Sequence, residues 1–182
     1  MTPIKQFKAP DGAEIMGLGI LGVFESLAKE QVDPILKTHN LSRDDIQPDG
    51  WYSLQLYYDL NKQMYDKPGG PMTLVAIGKA TAANVTDPAA IGSVENFVTQ
   101  ELNRAATTVI RNTPEGYGYI IDKKGDGHYH VTNNTGSAND IVFGYIWESV
   151  RLLSNSGNFV VEPVANYEKG NMEGSTFSIQ WE

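Results

Sequence analysis

The chain has 182 residues, 41% of them hydrophobic and 20% charged, with a formal net charge of -8 and no cysteine. That length fits one domain over 1–182, able to bury about two thirds of the surface its unfolded chain exposes, and the composition excludes wholesale disorder. The balance of 14 basic against 22 acidic residues tells against nucleic acid and anionic membrane surfaces. The missing cysteines exclude disulfides, thiolate metal sites, iron–sulfur clusters and a cysteine nucleophile, and the expected compartment is the cytoplasm.

The apolar run Ile15 to Phe24 is the first periodic segment, with Met16, Ile20, Val23 and Phe24 on one helical face. It is far shorter than the roughly 20 apolar residues of a membrane span, so a buried helix is expected and no membrane span. Gly17, Gly19 and Gly22 fit close helix packing or a helix pressed on a ligand. Asp33-Pro34 reads as a cap with proline in the first turn of a short helix, Ile35 to His39. Ser42 with Asp45 marks another helix start.

Pro48-Asp49-Gly50 is a turn, and a helix is expected from Trp51 to about Met64. It carries the aromatic stripe Trp51, Tyr57 and Tyr58. After the break Lys67 to Pro71, an apolar helix is expected over 72–84. Ser93 then caps a long helix whose face includes Phe97, Val98, Leu102, Val109 and Ile110, ended by Thr113-Pro114.

Beyond residue 116 the period changes to two. Tyr117, Tyr119 and Ile121 alternate, 122–127 turns, and His128, His130 and Thr132 alternate, which predicts a β-hairpin. Asn133 to Asn139 is a polar loop. Asp140 starts a helix with Val142, Phe143, Ile146, Trp147, Val150 and Leu153 on one face, ended near Gly157. Phe159–Val164 and Thr176–Trp181 are the closing strands. Helices first and strands last indicate α+β, with a helical layer on an antiparallel sheet of about four strands.

Catalytic signatures are absent. Asp122 to Asn133 departs from a calcium loop at its third and twelfth positions, Lys124 and Asn133. No serine sits in a nucleophile elbow, and Asp44-Asp45 lies in an exposed turn with nothing to raise a carboxyl pKa. His128 and His130 share one sheet face and are weak metal candidates without a third ligand. His39, at a helix end, fits an interaction with the helix dipole or a weak heme-ligand role. No metal site is expected, and no enzymatic activity.

The aromatic side chains Trp51, Tyr57, Tyr58, Phe97, Phe143 and Trp147 serve either as core or, together, as the walls of an apolar pocket with a few phenol hydroxyls.

Three stretches resemble one superfamily. Asn139-Asp-Ile-Val-Phe-Gly-Tyr-Ile-Trp-Glu-Ser-Val looks like the late helix of heme NO-binding and 4-vinyl-reductase-type domains, with Gly144 as its glycine. Phe159-Val-Val-Glu-Pro-Val and Glu173-Gly-Ser-Thr-Phe-Ser-Ile-Gln-Trp are similar to their closing hairpin. Phe24-Glu25-Ser26-Leu27 and Asp49-Gly50-Trp51-Tyr52-Ser53-Leu54 resemble the helical part of bacterial heme-NO-binding-like proteins. The resemblance implies helices packed on an antiparallel sheet with a hydrophobic cavity between. Heme NO-binding domains ligate iron through a histidine on a long helix and hold the propionates with a tyrosine-serine-arginine motif. Here 93–112 holds no histidine, and Tyr-x-Ser-x-Arg is absent.

The expected function is a non-enzymatic sensor or carrier of a hydrophobic small molecule or tetrapyrrole, its cofactor unknown with heme a candidate. The alternatives are a protein–protein adaptor with a filled core and a heme-dependent gas sensor. A homodimer or a signalling partner fits either.

Overall fold

The computed structural model describes residues 4–24, 27–154, 157–164 and 176–182. Parts of two stretches quoted for the resemblance, Glu25-Ser26 and Glu173 to Ser175, lie outside the described residues.

The apolar run near the start divides in two: strand β1 (Glu14–Met16) and helix α1 (Gly17–Phe24). Helix α2 (Lys29–Thr38) begins earlier than Asp33-Pro34 suggests, so Pro34 lies inside it. Val32 and Leu36, both buried, fix its inner face, while Asp33 receives the Arg43 Nε proton at 3.1 Å instead of capping. Ser42 and Asp45 close a single 3-10 turn, Arg43–Asp45.

Trp51 does not open a helix. Residues Trp51–Ser53 form strand β2, and Ser53 caps helix α3 (Leu54–Tyr65) by accepting from the Gln55 N–H. Helix α4 (Gly70–Val85) follows, then the one-turn α5 (Pro88–Ile91). The expected long helix is present but not uniform. Ser93 caps α6 (Val94–Asn96), Phe97–Glu101 widens into a π-helical segment, and α7 (Leu102–Val109) completes it. It stops short of Asn112 because Ile110–Arg111 is strand β3, which pairs with β1.

Two antiparallel sheets result. The small one has the order β2-β1-β3 and joins three distant parts of the chain. The larger one contains β4 (Gly118–Gly125), β5 (His128–Asn134), β6 (Phe159–Pro163) and β7 (Thr176–Trp181) in the order β4-β5-β7-β6. Its four strands match the expected number. β4 runs to Gly125, so the hairpin turn is tighter than the expected 122–127. Helix α8 (Asn139–Leu153) lies between β5 and β6 in the chain.

The core has two parts. One, under the N-terminal helices, holds Ile15, Ile20, Leu36, Leu54, Tyr58, Leu60, Met64 and Leu74. The other lies between the larger sheet and its covering helices and holds Phe97, Leu102, Tyr129, Val131, Val142, Ile146, Phe177 and Ile179. Helix α8 covers this sheet directly with Val142, Ile146, Val150 and Leu153. The N-terminal layer reaches it through α4, which crosses the back of α8 at Gly78 and Gly144. No helix of the described residues is long and apolar enough to cross a membrane.

Candidate functional site

The boundary between the two cores is rich in phenols. Tyr57 and Tyr58 come from α3, Tyr117 from the turn before β4, Tyr119 from β4 and Tyr145 from α8. Tyr58 is fully buried and its hydroxyl donates to the Thr135 carbonyl at 2.5 Å. The Tyr117 hydroxyl, 3.2 Å away, is left to donate to the Tyr58 oxygen. Burial raises the pKa of all five phenols, foremost by desolvation. The charged pair Glu101 and Arg104 acts on Tyr145 alone. The other four feel only phenols and neutral hydrogen-bonding groups. All five are neutral at physiological pH.

Tyr57 and Tyr119 are half-buried. One helical turn beyond Tyr57, Asn61 is fully buried. Its side-chain hydrogen bond to Tyr57 offsets part of that phenol's pKa rise.

The loop that supports this boundary is polar but buried. Asn133 is satisfied at both ends: its nitrogen donates to the Ser137 carbonyl and to Asn139 Oδ1, and its oxygen accepts from the Thr135 N–H and hydroxyl. The edge strand is fixed from the helical side. Asn103 on α7 donates to the Tyr119 carbonyl at 2.9 Å and accepts the Tyr119 N–H at 2.7 Å, as a neighbouring strand would.

The candidate residues from the sequence divide among three places. Tyr57 and Tyr58 stand together at the boundary, ring centroids 5.9 Å apart. Phe97 reaches its edge through a 5.9 Å ring contact with Tyr145. Phe143 leans on Phe177 in the sheet core, and Trp147 packs on Phe159 with Lys79 Nζ 3.6 Å from its ring centre. Trp51 lies in the small sheet under the Arg111 guanidinium. Sequence reasoning missed Tyr117, Tyr119, Tyr145, Asn61 and Asn103 as site residues. The alternation at Tyr117 and Tyr119 was the available signal.

The histidines lie elsewhere. His39 follows the last turn of α2 and its Nε2 is 2.9 Å from Asp59 Oδ2 on α3. On β5, Tyr129 and Val131 point into the core, so His128 and His130 point to the outer face. Their rings are 5.3 Å apart, and His128 Nε2 is 3.2 Å from Ser178 Oγ. Burial, then electrostatic repulsion from Lys124 and His128, lowers the His130 pKa. Among the described residues no cluster of three His, Cys, Asp or Glu side chains could hold a metal ion.

This architecture is that of the H-NOX domains. A mutant form of T. Tengcongensis H-NOX superimposes with a TM-score of 0.62 at 16% identity, over 91% of this chain and 94% of that one. An oxygen-binding H-NOX domain related to soluble guanylate cyclases gives 0.58 at 16% identity, over 91% and 92%. A mutant Fe(II) unliganded H-NOX protein from K. algicida gives 0.55 at 12% identity, over 92% and 97%. No protein-family profile and no curated protein matches the chain. The α+β fold expected from the sequence is therefore an H-NOX-like fold, and at these identities the likeness establishes fold alone.

The residues present do not fit a histidine-ligated heme. The buried face of the 94–109 helical stretch is Val94, Phe97, Val98 and Leu102, none of which donates to iron. The three histidines engage Asp59 or stand on the outer sheet face, away from the core boundary. Among the described residues no lysine, arginine or histidine acts on Tyr57, Tyr58, Tyr117 or Tyr119.

Proposed function

We propose that the chain is a non-enzymatic binding or sensor domain that holds a hydrophobic small molecule at the boundary between its two cores, without an iron–histidine bond. The whole span acts as one ligand-binding unit. The observation that carries this reading is the convergence of Tyr57, Tyr58, Tyr117, Tyr119 and Tyr145 from both layers on the boundary between the two cores. A mostly apolar enclosure with a few hydroxyls is how small-molecule sites are built. Tyr57, Tyr58 and Phe97 are wall residues in this reading, joined by Tyr117, Tyr119 and Tyr145; Phe143, Trp147 and Trp51 support the walls from outside. Native mass spectrometry and a ligand-dependent melting screen test it. A retained or stabilising small molecule is expected, and a chain that neither retains nor responds to any would sink the idea.

A heme-dependent gas sensor is the second reading, favoured by the likeness to H-NOX structures. It requires a Soret band in protein supplied with heme, lost in His39→Ala or His128→Ala.

A further inference from the structure

The outer face of the larger sheet carries two imidazoles that the core boundary does not use. His128 and His130 alternate on β5 with the inward Tyr129 and Val131, so both rings stand on that outer face, each half-buried. Their ring centres are 5.3 Å apart and their planes cross at 69°. One metal ion bonded to a nitrogen of each ring at about 2.0–2.1 Å, in tetrahedral geometry, sets the two ring centres roughly 5 Å apart. The pair thus already stands near the separation of two imidazoles that share one ion.

The strand holds this spacing, because β5 is paired on both sides, with β4 and with β7. Ser178 on β7 lies opposite His130, and its Oγ is 3.2 Å from His128 Nε2 while accepting from Gln180 Nε2 at 3.2 Å. A metal-bound imidazole has such a partner on its second nitrogen, which orients the ring. That leaves Nδ1 of His128 as its ligating atom. Asp122 on β4 lies opposite His130 and therefore on the same face, where it forms an exposed ion pair with Lys124. The carboxylate offsets the repulsion that the ammonium exerts on an arriving cation.

We propose that His128 and His130 form a surface site for a divalent transition-metal ion, with water completing the shell. Two imidazole ligands favour Cu2+ over Ni2+ and Zn2+. Mg2+ and Ca2+, which take oxygen ligands, are not held. The site is independent of the ligand proposed for the core boundary.

Calorimetric titration of the full chain with Cu2+, Ni2+, Zn2+ and Mg2+ tests this. Saturable binding of one Cu2+ per chain is expected, with Ni2+ and Zn2+ weaker and Mg2+ silent. His128→Ala and His130→Ala should each weaken Cu2+ at least about tenfold, since even the outer-shell partners of a metal carry ten- to hundredfold in affinity. His39→Ala should bind as the parent chain does. Both imidazoles are half-buried on a solvent face, and circular dichroism checks that the variants keep the fold. Should alanine disturb the strand, His128→Gln and His130→Gln carry the same comparison. Absence of saturable Cu2+ binding, or binding unchanged in either the His128 or the His130 variant, overturns the proposal. So does an equal loss in His39→Ala.

Discussion

Gly78 on α4 and Gly144 on α8 face each other across the helix crossing that joins the two halves of the molecule. A Cβ on Gly78 would fall 2.1 Å from the Ile141 carbonyl oxygen, and one on Gly144 would fall 2.1 Å from that of Val75. The contacts are backbone against backbone, with no flexible side chain to yield. Gly144→Ala is expected to lower stability by about 1–3 kcal/mol, the range of an overpacked core, and Gly78→Ala likewise. Because both changes force the same separation, the double variant should cost less than the sum of the singles. Urea denaturation of the three variants measures this, and strict additivity would show that the glycines act independently.

Tyr58→Phe removes the donor to the Thr135 carbonyl and the acceptor for the Tyr117 hydroxyl. An unpaired buried group costs about 1–3 kcal/mol, so a loss of that size is expected in chemical denaturation. An unchanged midpoint would mean that water replaces the hydroxyl.

Asn103→Ala cuts both hydrogen bonds that hold edge strand β4 to helix α7. The Tyr119 amide should then exchange with solvent far faster while the amides at the β5–β7 pairing stay protected, as native-state hydrogen exchange would record. Uniform loss of protection across the sheet would place Asn103 in the global unfolding barrier instead.

The buried phenols make stability fall in alkali. Desolvation holds their folded-state pKa above the ordinary tyrosine value. Between that value and the folded one, the unfolded chain has released protons that the folded chain retains, so rising pH favours unfolding. Stability is complete below about pH 10 and declines above it. Tyrosinate absorbance should therefore rise together with loss of helical circular dichroism. Ionisation of these tyrosines well before unfolding would contradict their enclosure.

The strongly periodic elements were legible in the sequence. Val142, Ile146, Val150 and Leu153 announced α8, and Thr176–Trp181 is the strand expected there. The small sheet was not, because β1, β2 and β3 are two or three residues each and sit inside or beside runs of helical period. Such strands carry no alternation of their own and exist through pairing across nearly a hundred residues, as between Glu14 and Arg111. The site was half legible. Tyr57 and Tyr58 read as an aromatic stripe, but their meeting with Tyr117, Tyr119 and Tyr145 depends on the crossing of α4 and α8. The stretch 133–139 read only as a polar loop, and the Asn133 hydrogen bonds are what permit that loop to be buried.

The central claim is an H-NOX-like fold whose ligand is not held by a histidine-bound iron. The most direct test is the absorption spectrum of the chain purified after expression with added heme. No Soret band is predicted, and the parent chain and His39→Ala should give the same colourless spectrum. A stoichiometric Soret band that survives gel filtration and disappears in one of the variants His39→Ala, His128→Ala or His130→Ala would contradict the account.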